Sequence, residues 1–301
     1  MKQMTRFSLY LSIAVLVLAV FGTASRPLSA QRLAQEEDPV VRGARLYDDW
    51  MEVLGEQAPA GDHPIWERQT ANTRSGPDTW RCVSCHGWDY QGAEGANASG
   101  PNFTGFPGVF QTQDWSDEEI ADALDAGLDE AHDFVPPLTE ADVSAVAAFL
   151  QEGLIDDNEF IDPVSRTVIE GDAAAGEERY GEACASCHGE DGTELTFRYE
   201  GQDVSLGTVA VQDPWRFLHR TRFGVARAPE MPVGYELGWT PQDGRDVLAF
   251  AQGLPTGFEG LGSTPSFEDG QAPGGEPGGP AQNLVTGILT AIGAMVTSLG
   301  F

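Results

Sequence analysis

The sequence predicts an all-α fold built from two small helical units that follow one another along the chain. Three observations lead to this prediction. A set of three landmarks occurs twice in the same order, apolar residues recur at helical spacing near the end of each unit, and alternating strand patterns are few. A chain of 301 residues is long enough for two domains of ordinary size.

The landmarks are a glycine four residues before a tyrosine, a Cys-x-x-Cys-His run, and a threonine that opens an apolar stretch. They fall at residues 43–47, 82–86 and 138–142 in the first unit, and at residues 176–180, 184–188 and 239–243 in the second. We therefore expect one domain at residues 40–152 and another at 170–256, with a linker at 153–167.

The first landmark predicts a helix that packs closely on another helix. Gly43 and Tyr47, like Gly176 and Tyr180, are four residues apart and so lie on one helical face, where the glycine lets a second helix approach. The third landmark predicts the start of a helix in each unit, because Thr139 and Thr240 suit the N-cap position. A Ser-x-x-Glu capping box at residues 116–119 predicts one more helix, with a counterpart at residues 213–223.

The two units differ by an insertion in the first. Tyr180 lies four residues before Cys184, whereas Tyr47 lies about 35 residues before Cys82, so the first unit carries about 30 extra residues at 50–81. We expect this segment, which holds Met51, His63, Trp66 and Trp80, to cover one side of a site or to form a docking surface.

Both ends of the chain differ in composition from the units. Residues 1–30 read as an export signal, either cleaved or kept as an N-terminal anchor, because a short basic stretch precedes apolar and then small residues. Residues 262–282 read as a flexible Gly/Pro-rich linker. Residues 284–301 carry no charge and read as a membrane anchor, a helix docked on a partner subunit, or a poorly ordered end.

The charge is strongly negative, with 47 acidic against 17 basic residues and a formal net charge of -30. A nucleic-acid partner is excluded, because phosphates require a basic surface. Two interpretations stay open: a heavily solvated acidic surface, or electrostatic steering toward a basic partner protein.

The Cys-x-x-Cys-His runs predict covalent attachment of two c-type haems. On a helix, Cys82, Cys85 and His86 face the same way, so two thiols can bond the haem edge while the imidazole binds the iron; Cys184, Cys187 and His188 repeat the pattern. Zinc binding and dithiol redox chemistry are the alternatives, and the histidine that follows each pair disfavours both.

Around these runs the sequence resembles the class I cytochrome c family, over residues 40–152 and 170–256. Residues 100–105 look like the Gly-Pro-Asn-Leu-x-Gly loop of that family. The resemblance implies that the carbonyl of Pro101 accepts a hydrogen bond from His86, which would orient the imidazole. The second unit has no such Gly-Pro pair.

The sixth iron ligands follow from the same resemblance. Met231 stands where the family places its axial methionine and is the expected ligand of the second haem, with His219 in reserve. Alignment of the terminal helices places His132 near the corresponding position of the first unit, with Met51 and His63 as substitutes.

These observations predict an exported cytochrome that carries single electrons, with no catalytic residues. Methionine ligation raises the potential of a haem relative to histidine ligation, so electrons would pass from the first haem to the second. Arg220 and Arg222 are candidates to pair with haem propionates. The protein would act alone or as a subunit of a respiratory or dehydrogenase complex, in the periplasm or on the outer face of the membrane. The competing hypotheses are a dihaem enzyme of the peroxidase or thiosulfate dehydrogenase kind, and a structural envelope protein.

Overall fold

The computed structural model describes residues 37–135, 137–199, 201–256 and 266–267. The predicted export signal at 1–30 and the uncharged segment at 284–301 lie outside the described residues, and so does the predicted flexible linker at 262–282 except for residues 266–267. Within the described ranges, no helix is both long and apolar enough to span a bilayer.

The described residues are rich in helix and contain little strand, which agrees with the all-α prediction. The helices of the first half are α1 Pro39–Leu54, α2 Cys82–His86, α3 Asp117–Leu124 and α4 Glu140–Ala148. Those of the second half are α5 Ala173–Ala183, α6 Ala185–His188, α7 Leu206–Gln212, α8 Pro214–Phe223 and α9 Pro241–Ala251. Short 3₁₀ turns occur at Pro64–Arg68, Gly76–Trp80, Phe110–Asp114 and Asp157–Glu159, and a π turn at Phe149–Gly153.

A small sheet in the second half was not predicted. It consists of β1 Thr196–Tyr199, β2 Gln202–Val204 and β3 Ser266–Phe267. β1 pairs antiparallel with β2, with Phe197 opposite Val204, and parallel with β3, with Phe197 opposite Phe267. Strands of four residues or fewer are too short to show the alternation from which a strand is predicted.

The same helix crossing occurs in both halves. A Cβ atom on Gly43 of α1 would lie 2.0 Å from the carbonyl oxygen of Ala145 in α4. A Cβ atom on Gly176 of α5 would lie 1.9 Å from the carbonyl oxygen of Asp246 in α9. Only glycine permits so close an approach, and the predicted packing role of the two glycines is confirmed.

The predicted helix starts are confirmed by their caps. Capping boxes open α3, α4 and α9, each formed by a hydroxyl side chain at the N-cap and a carboxylate three residues later. The pairs are Ser116 with Glu119, Thr139 with Asp142, and Thr240 with Asp243. Asp213 caps α8, the predicted counterpart of α3.

Two apolar cores form, and α8 contributes to both. The first core gathers around Trp50 and Phe149, and the second around Tyr180 and Leu248. Phe223, at the end of α8, is fully buried in the first core, although it follows the second Cys-x-x-Cys-His run in the chain. The halves therefore pack directly on each other.

Hydrogen bonds between the halves surround α8. The Nε atom of Arg45 donates to the carbonyl oxygen of Phe223 at 2.8 Å. A terminal guanidinium nitrogen of Arg222 donates to the carbonyl oxygen of Gly153, also at 2.8 Å. The segment predicted as a linker is itself packed, since Ile161 is buried in the second core.

Candidate haem-binding sites

Each Cys-x-x-Cys-His turn is held by the tyrosine of its own unit. The Tyr47 hydroxyl donates to the carbonyl oxygen of Gly87 at 2.6 Å, and the Tyr180 hydroxyl donates to that of Gly189 at 2.7 Å. Both glycines directly follow the histidine of the run and have φ of 80°, in the region that favours glycine. The glycine-tyrosine landmark thus positions the attachment turn, a role that the spacing alone did not reveal.

The first site contains Cys82, Cys85 and His86 on α2, with the imidazole oriented by a backbone carbonyl. The Nδ1 atom of His86 lies 2.7 Å from the carbonyl oxygen of Pro107. A carbonyl can only accept, so Nδ1 carries the proton and Nε2 keeps a lone pair that can bind a metal.

The expected contact between His86 and the carbonyl of Pro101 is wrong, because Pro107 takes that place. The chain turns at residues 100–105 and returns beside the motif, where the amide of Ala93 donates to the carbonyl of Phe106 at 2.8 Å. A bridge between Gly92 and Pro107 then fixes Pro107 next to the histidine.

His132 lies opposite His86 with the same tautomer. Its Nδ1 atom is 2.7 Å from the carbonyl oxygen of Ala123, which leaves Nε2 available. The two imidazole centres are 6.1 Å apart. A metal binds an imidazole nitrogen at about 2 Å, and the ring centre lies about 1 Å further on, so ligands on opposite sides of one iron have centres about 6 Å apart. The residues present therefore fit a haem iron held between them.

His63 lies beside this site but has the opposite tautomer. Its Nδ1 atom accepts a hydrogen bond from the amide of Ile65 at 3.3 Å, so Nε2 carries the proton; that atom is buried without a partner among the described residues. The imidazole stacks on Phe134 at 4.8 Å, and its centre is 6.3 Å from that of His132. Burial, together with nearby His132, lowers the pKa of His63 to about 4. Of the two imidazoles, His132 is thus better prepared to bind iron, while Met51 packs in the first core.

The second site is a cavity of ≈ 300 Å³. Cys184, Cys187, His188 and Met231 all line it, together with apolar side chains such as Phe197. The His188 ring stacks on the Phe197 ring at 5.7 Å. A methionine thioether and an imidazole facing one apolar cavity fit the two axial ligands of a haem.

The second site differs from the first in how its histidine is oriented. The Nδ1 atom of His188 is buried and has no hydrogen-bond partner within the described part of the chain. Burial also lowers the pKa of His188, so its imidazole is neutral at neutral pH. Stacking on Phe197, rather than a carbonyl, therefore fixes this ring.

The first half supplies part of the second cavity. Arg45, Asp48, Asp49 and Glu52, all on α1, line it beside residues of α8. Arg220 also lines the cavity and pairs with Asp48 at 2.9 Å. No feature of the sequence indicated that α1 would form a wall of the second site.

Two of the candidates are not among the residues that line the second cavity. His219 is fully buried between the halves, with Nδ1 2.8 Å from the Tyr90 hydroxyl and Nε2 3.2 Å from the carbonyl oxygen of Ala44. Both of its ring nitrogens are thus engaged away from the cavity. Arg222 donates instead to the carbonyl of Gly153.

Three of the four cysteine thiols are held in their neutral form. Burial raises the pKa of Cys82 and of Cys85 to about 12, and that of Cys184 to about 11. Disulfide exchange requires a thiolate, so this environment disfavours dithiol redox chemistry as an alternative to haem attachment.

Residues 71–150 match the family described as Cytochrome C oxidase, cbb3-type, subunit III. The matched stretch contains the first Cys-x-x-Cys-His turn, Pro107 and His132. A search of curated proteins finds none that matches the chain. Taken with the geometry of the first site, the match identifies a cytochrome c domain at residues 71–150, which implies a covalently bound c-type haem and supports a general role in electron transfer.

Proposed function

We propose that the protein is an exported dihaem cytochrome c that passes single electrons from a first haem, held by His86 and His132, to a second haem, held by His188 and Met231. The observation that carries the proposal is the repeated arrangement around the two attachment turns. In each half a tyrosine hydroxyl donates to the carbonyl oxygen of the glycine that follows the histidine of the run. A different glycine, four residues before that tyrosine, lies where two helices cross.

The residues of each site have distinct tasks in this proposal. The haem supplies the iron that takes up and releases one electron. The thiols of each run tether the haem, and its histidine presents Nε2 on one side. On the other side, His132 is fixed by the carbonyl of Ala123, and Met231 faces the cavity of the second site. With protein ligands on both sides, neither iron offers a position to a substrate.

The direction of transfer rests on the ligands. A methionine ligand raises the potential of a haem relative to a histidine ligand, so Met231 in the second site and His132 in the first would favour electron transfer from the first site to the second. Side chains connect the sites: Trp88, two residues after His86, lies 5.3 Å from the Arg220 guanidinium, which lines the second cavity. The Trp88 and His219 rings are 5.1 Å apart.

The partner in this proposal is a basic redox protein, because the chain carries a formal charge of -30. The matched family describes a subunit of an oxidase. This favours a place in a respiratory complex, whose electrons would enter or leave through this protein.

Spectra of the purified holoprotein test the proposal. We expect two haems per chain, both low-spin, with two resolved reduction potentials and a methionine-to-iron absorption band. His132→Ala should convert only one haem to a high-spin form, and Met231→His should remove the absorption band and lower the higher potential.

His63→Ala is the matched control, since His63 is buried beside the same site but has its Nδ1 atom engaged with Ile65. It should leave the ligand spectrum unchanged. One haem per chain, equal potentials, or a high-spin haem in the unmodified protein that binds carbon monoxide would contradict the proposal, and the last result would indicate an enzyme.

A further inference from the structure

A second cavity, of ≈ 430 Å³, lies between the two halves. Five arginines line it, two from the first half, two from the second and one from the segment between them, together with Asn72. The arginines are Arg74, Arg81, Arg166, Arg198 and Arg216. We refer to this cavity as the arginine cleft.

The arginine cleft is separate from the haem-attachment residues. Val83 and Ser84 line it, whereas Cys82, Cys85 and His86 do not. Since α2 is helical, positions 83 and 84 point away from the face that carries the two thiols and the imidazole. The cleft thus lies behind the first attachment turn.

The lining of the cleft carries more basic than acidic residues, unlike the protein as a whole. The whole chain has 17 basic residues and a formal charge of -30, yet five arginines face this one cavity. The carboxylates in its lining are Asp78 and Asp213, and the Asp213 side chain accepts a hydrogen bond from the amide of Arg216 as the cap of α8. Cationic groups outnumber anionic ones in the lining.

Arg74 is a cation of this lining that lacks a carboxylate partner in the described part of the chain. It is half-buried, and a terminal nitrogen donates to the Oδ1 atom of Asn102 at 2.7 Å. Within the residues that the structure describes, it forms no salt bridge. Burial, and then the nearby Arg81, lower the pKa of Arg74. An anion beside it would offset both effects.

Asn72 adds a buried donor without an acceptor. The side chain is 7% exposed, and its Oδ1 atom accepts from the amide of Arg74 at 3.0 Å, which identifies the other atom as the NH₂ group. That Nδ2 atom has no hydrogen-bond partner among the described residues. An unsatisfied buried donor costs about 1–3 kcal/mol. Asn72 contributes to the cleft through its Oδ1 atom, which fixes the backbone of Arg74.

We propose that the arginine cleft binds a small oxyanion, with Arg74 as its principal donor. Guanidinium groups bind the paired oxygens of carboxylate, phosphate or sulfate through two parallel hydrogen bonds. The cleft has the volume of a small-molecule site. A bound anion lies close to the first attachment turn, so it favours the oxidised haem and lowers the reduction potential.

Titration calorimetry of the holoprotein tests this site directly. The probes are inorganic phosphate, sulfate and succinate, each added at ionic strength held constant with sodium chloride. We expect saturable heat with at least one probe. Binding of phosphate or sulfate indicates a tetrahedral oxyanion, and binding of succinate alone indicates a dicarboxylate. Redox titration with the bound probe should show a lower potential for the first haem.

Two cleft variants and one control identify the site. Arg74→Gln should weaken binding by about tenfold or more, the value of one charge-assisted hydrogen bond. Arg179→Gln removes the same charge from α5, where Arg179 pairs with Asp243 outside the cleft, and should leave the affinity unchanged. If Arg74→Gln does not fold, Arg198→Gln tests the opposite wall, where Arg198 pairs with Asp203. The absence of heat with all three probes overturns the proposal, as does an equal loss in Arg179→Gln and the cleft variants.

Discussion

Asp157 is a buried carboxyl group, 2% exposed, in a short turn that leads into the second half. Its Oδ2 atom has no hydrogen-bond partner in the described residues. Burial raises the pKa of Asp157 to about 7, against the attraction of Arg222 and with added repulsion from Asp89. The folded protein therefore holds a proton that the unfolded chain, with a pKa of about 3.9, releases.

We expect this proton to make the protein less stable as pH rises from about 4 to about 7. In that range the folded state binds more protons than the unfolded state, so the free energy of unfolding falls, by at most about 4 kcal/mol. Asp157→Asn removes the dependence and is more stable than the unmodified protein at pH 8. Urea unfolding at pH 5 and pH 8 measures the difference.

Glu159→Gln is the control for Asp157→Asn, because Glu159 is exposed in the same turn. Its stability should change with pH as that of the unmodified protein does. The same pH slope in Asp157→Asn and Glu159→Gln would show that Asp157 is ionised in the folded state.

At the scale of single residues, the sequence predicted which side chains lie together at a site better than it predicted which backbone groups bind them. The spacing within the two runs placed Cys82, Cys85 and His86 on one turn, as the structure has them. It could not reveal that Pro107, not Pro101, orients His86, since a carbonyl partner leaves no side-chain signature. Nor could it show the tautomer of His63, which depends on one amide contact.

Among the structural elements, the crossings of α1 with α4 and of α5 with α9 carry the strictest steric demand. Gly176 and Gly181 lie on the same helix, yet a Cβ atom at Gly176 would overlap the backbone of Asp246, whereas one at Gly181 would meet nothing within 4 Å. One helix thus provides both a constrained glycine and a free one.

We expect Gly176→Ala to destabilise the protein by about 1–3 kcal/mol or more, because the helices must move apart. Gly181→Ala should instead stabilise it by about 0.5–1 kcal/mol, since alanine favours the helix and meets no neighbour. Thermal unfolding of the two variants checks the opposite signs. Equal shifts would mean that α5 and α9 do not cross closely at Gly176.

Helices were predictable because their ends carry local signals. Thr139 and Thr240 predicted the starts of α4 and α9, because each forms a capping box with a residue only three positions further on. The β1–β2 hairpin lacked an equivalent signal, since its strands have four and three residues. The place of His63 beside His132 depends on how residues 50–81 fold back, which no local pattern determines.

Across the whole molecule, Asp48 joins the two sites. It is 4% exposed, pairs with Arg81, which precedes the first attachment turn, and also pairs with Arg220 of α8 at 2.9 Å. Glu52, one turn further along α1, pairs with Arg227 at 2.8 Å where both side chains are partly exposed. Asp48 and Glu52 both form ion pairs between the halves, but of the two carboxylates only that of Asp48 is buried.

We expect Asp48→Asn to cost about 3–5 kcal/mol, because it leaves the buried guanidinium group of Arg81 and the half-buried one of Arg220 undercompensated. Glu52→Gln should cost at most about 1 kcal/mol, as exposed ion pairs do. Calorimetric unfolding measures both, and Asp48→Asn should broaden or split the transition as the halves separate. Equal small losses would show that Asp48 does not hold the halves together.

The acidic surface leads to a prediction about salt. If the charge of -30 steers a basic partner, the bimolecular rate of electron transfer falls steeply as ionic strength rises, because about 0.1 M salt screens charges beyond about 10 Å. Stopped-flow mixing with a basic cytochrome measures the slope, and a neutral small-molecule oxidant is the control. A flat slope with both would favour solvation as the role of the charge.

Because α1 of the first half lines the second cavity, the chain cannot be cut between the halves without changing that cavity. Arg45, Asp48, Asp49 and Glu52 line the second cavity, although they lie more than 100 residues before Cys184. A fragment that began in the segment between the halves would keep its own attachment turn and lose this wall. Cleavage between the halves would thus admit water to the second site, and its redox properties belong to the undivided chain.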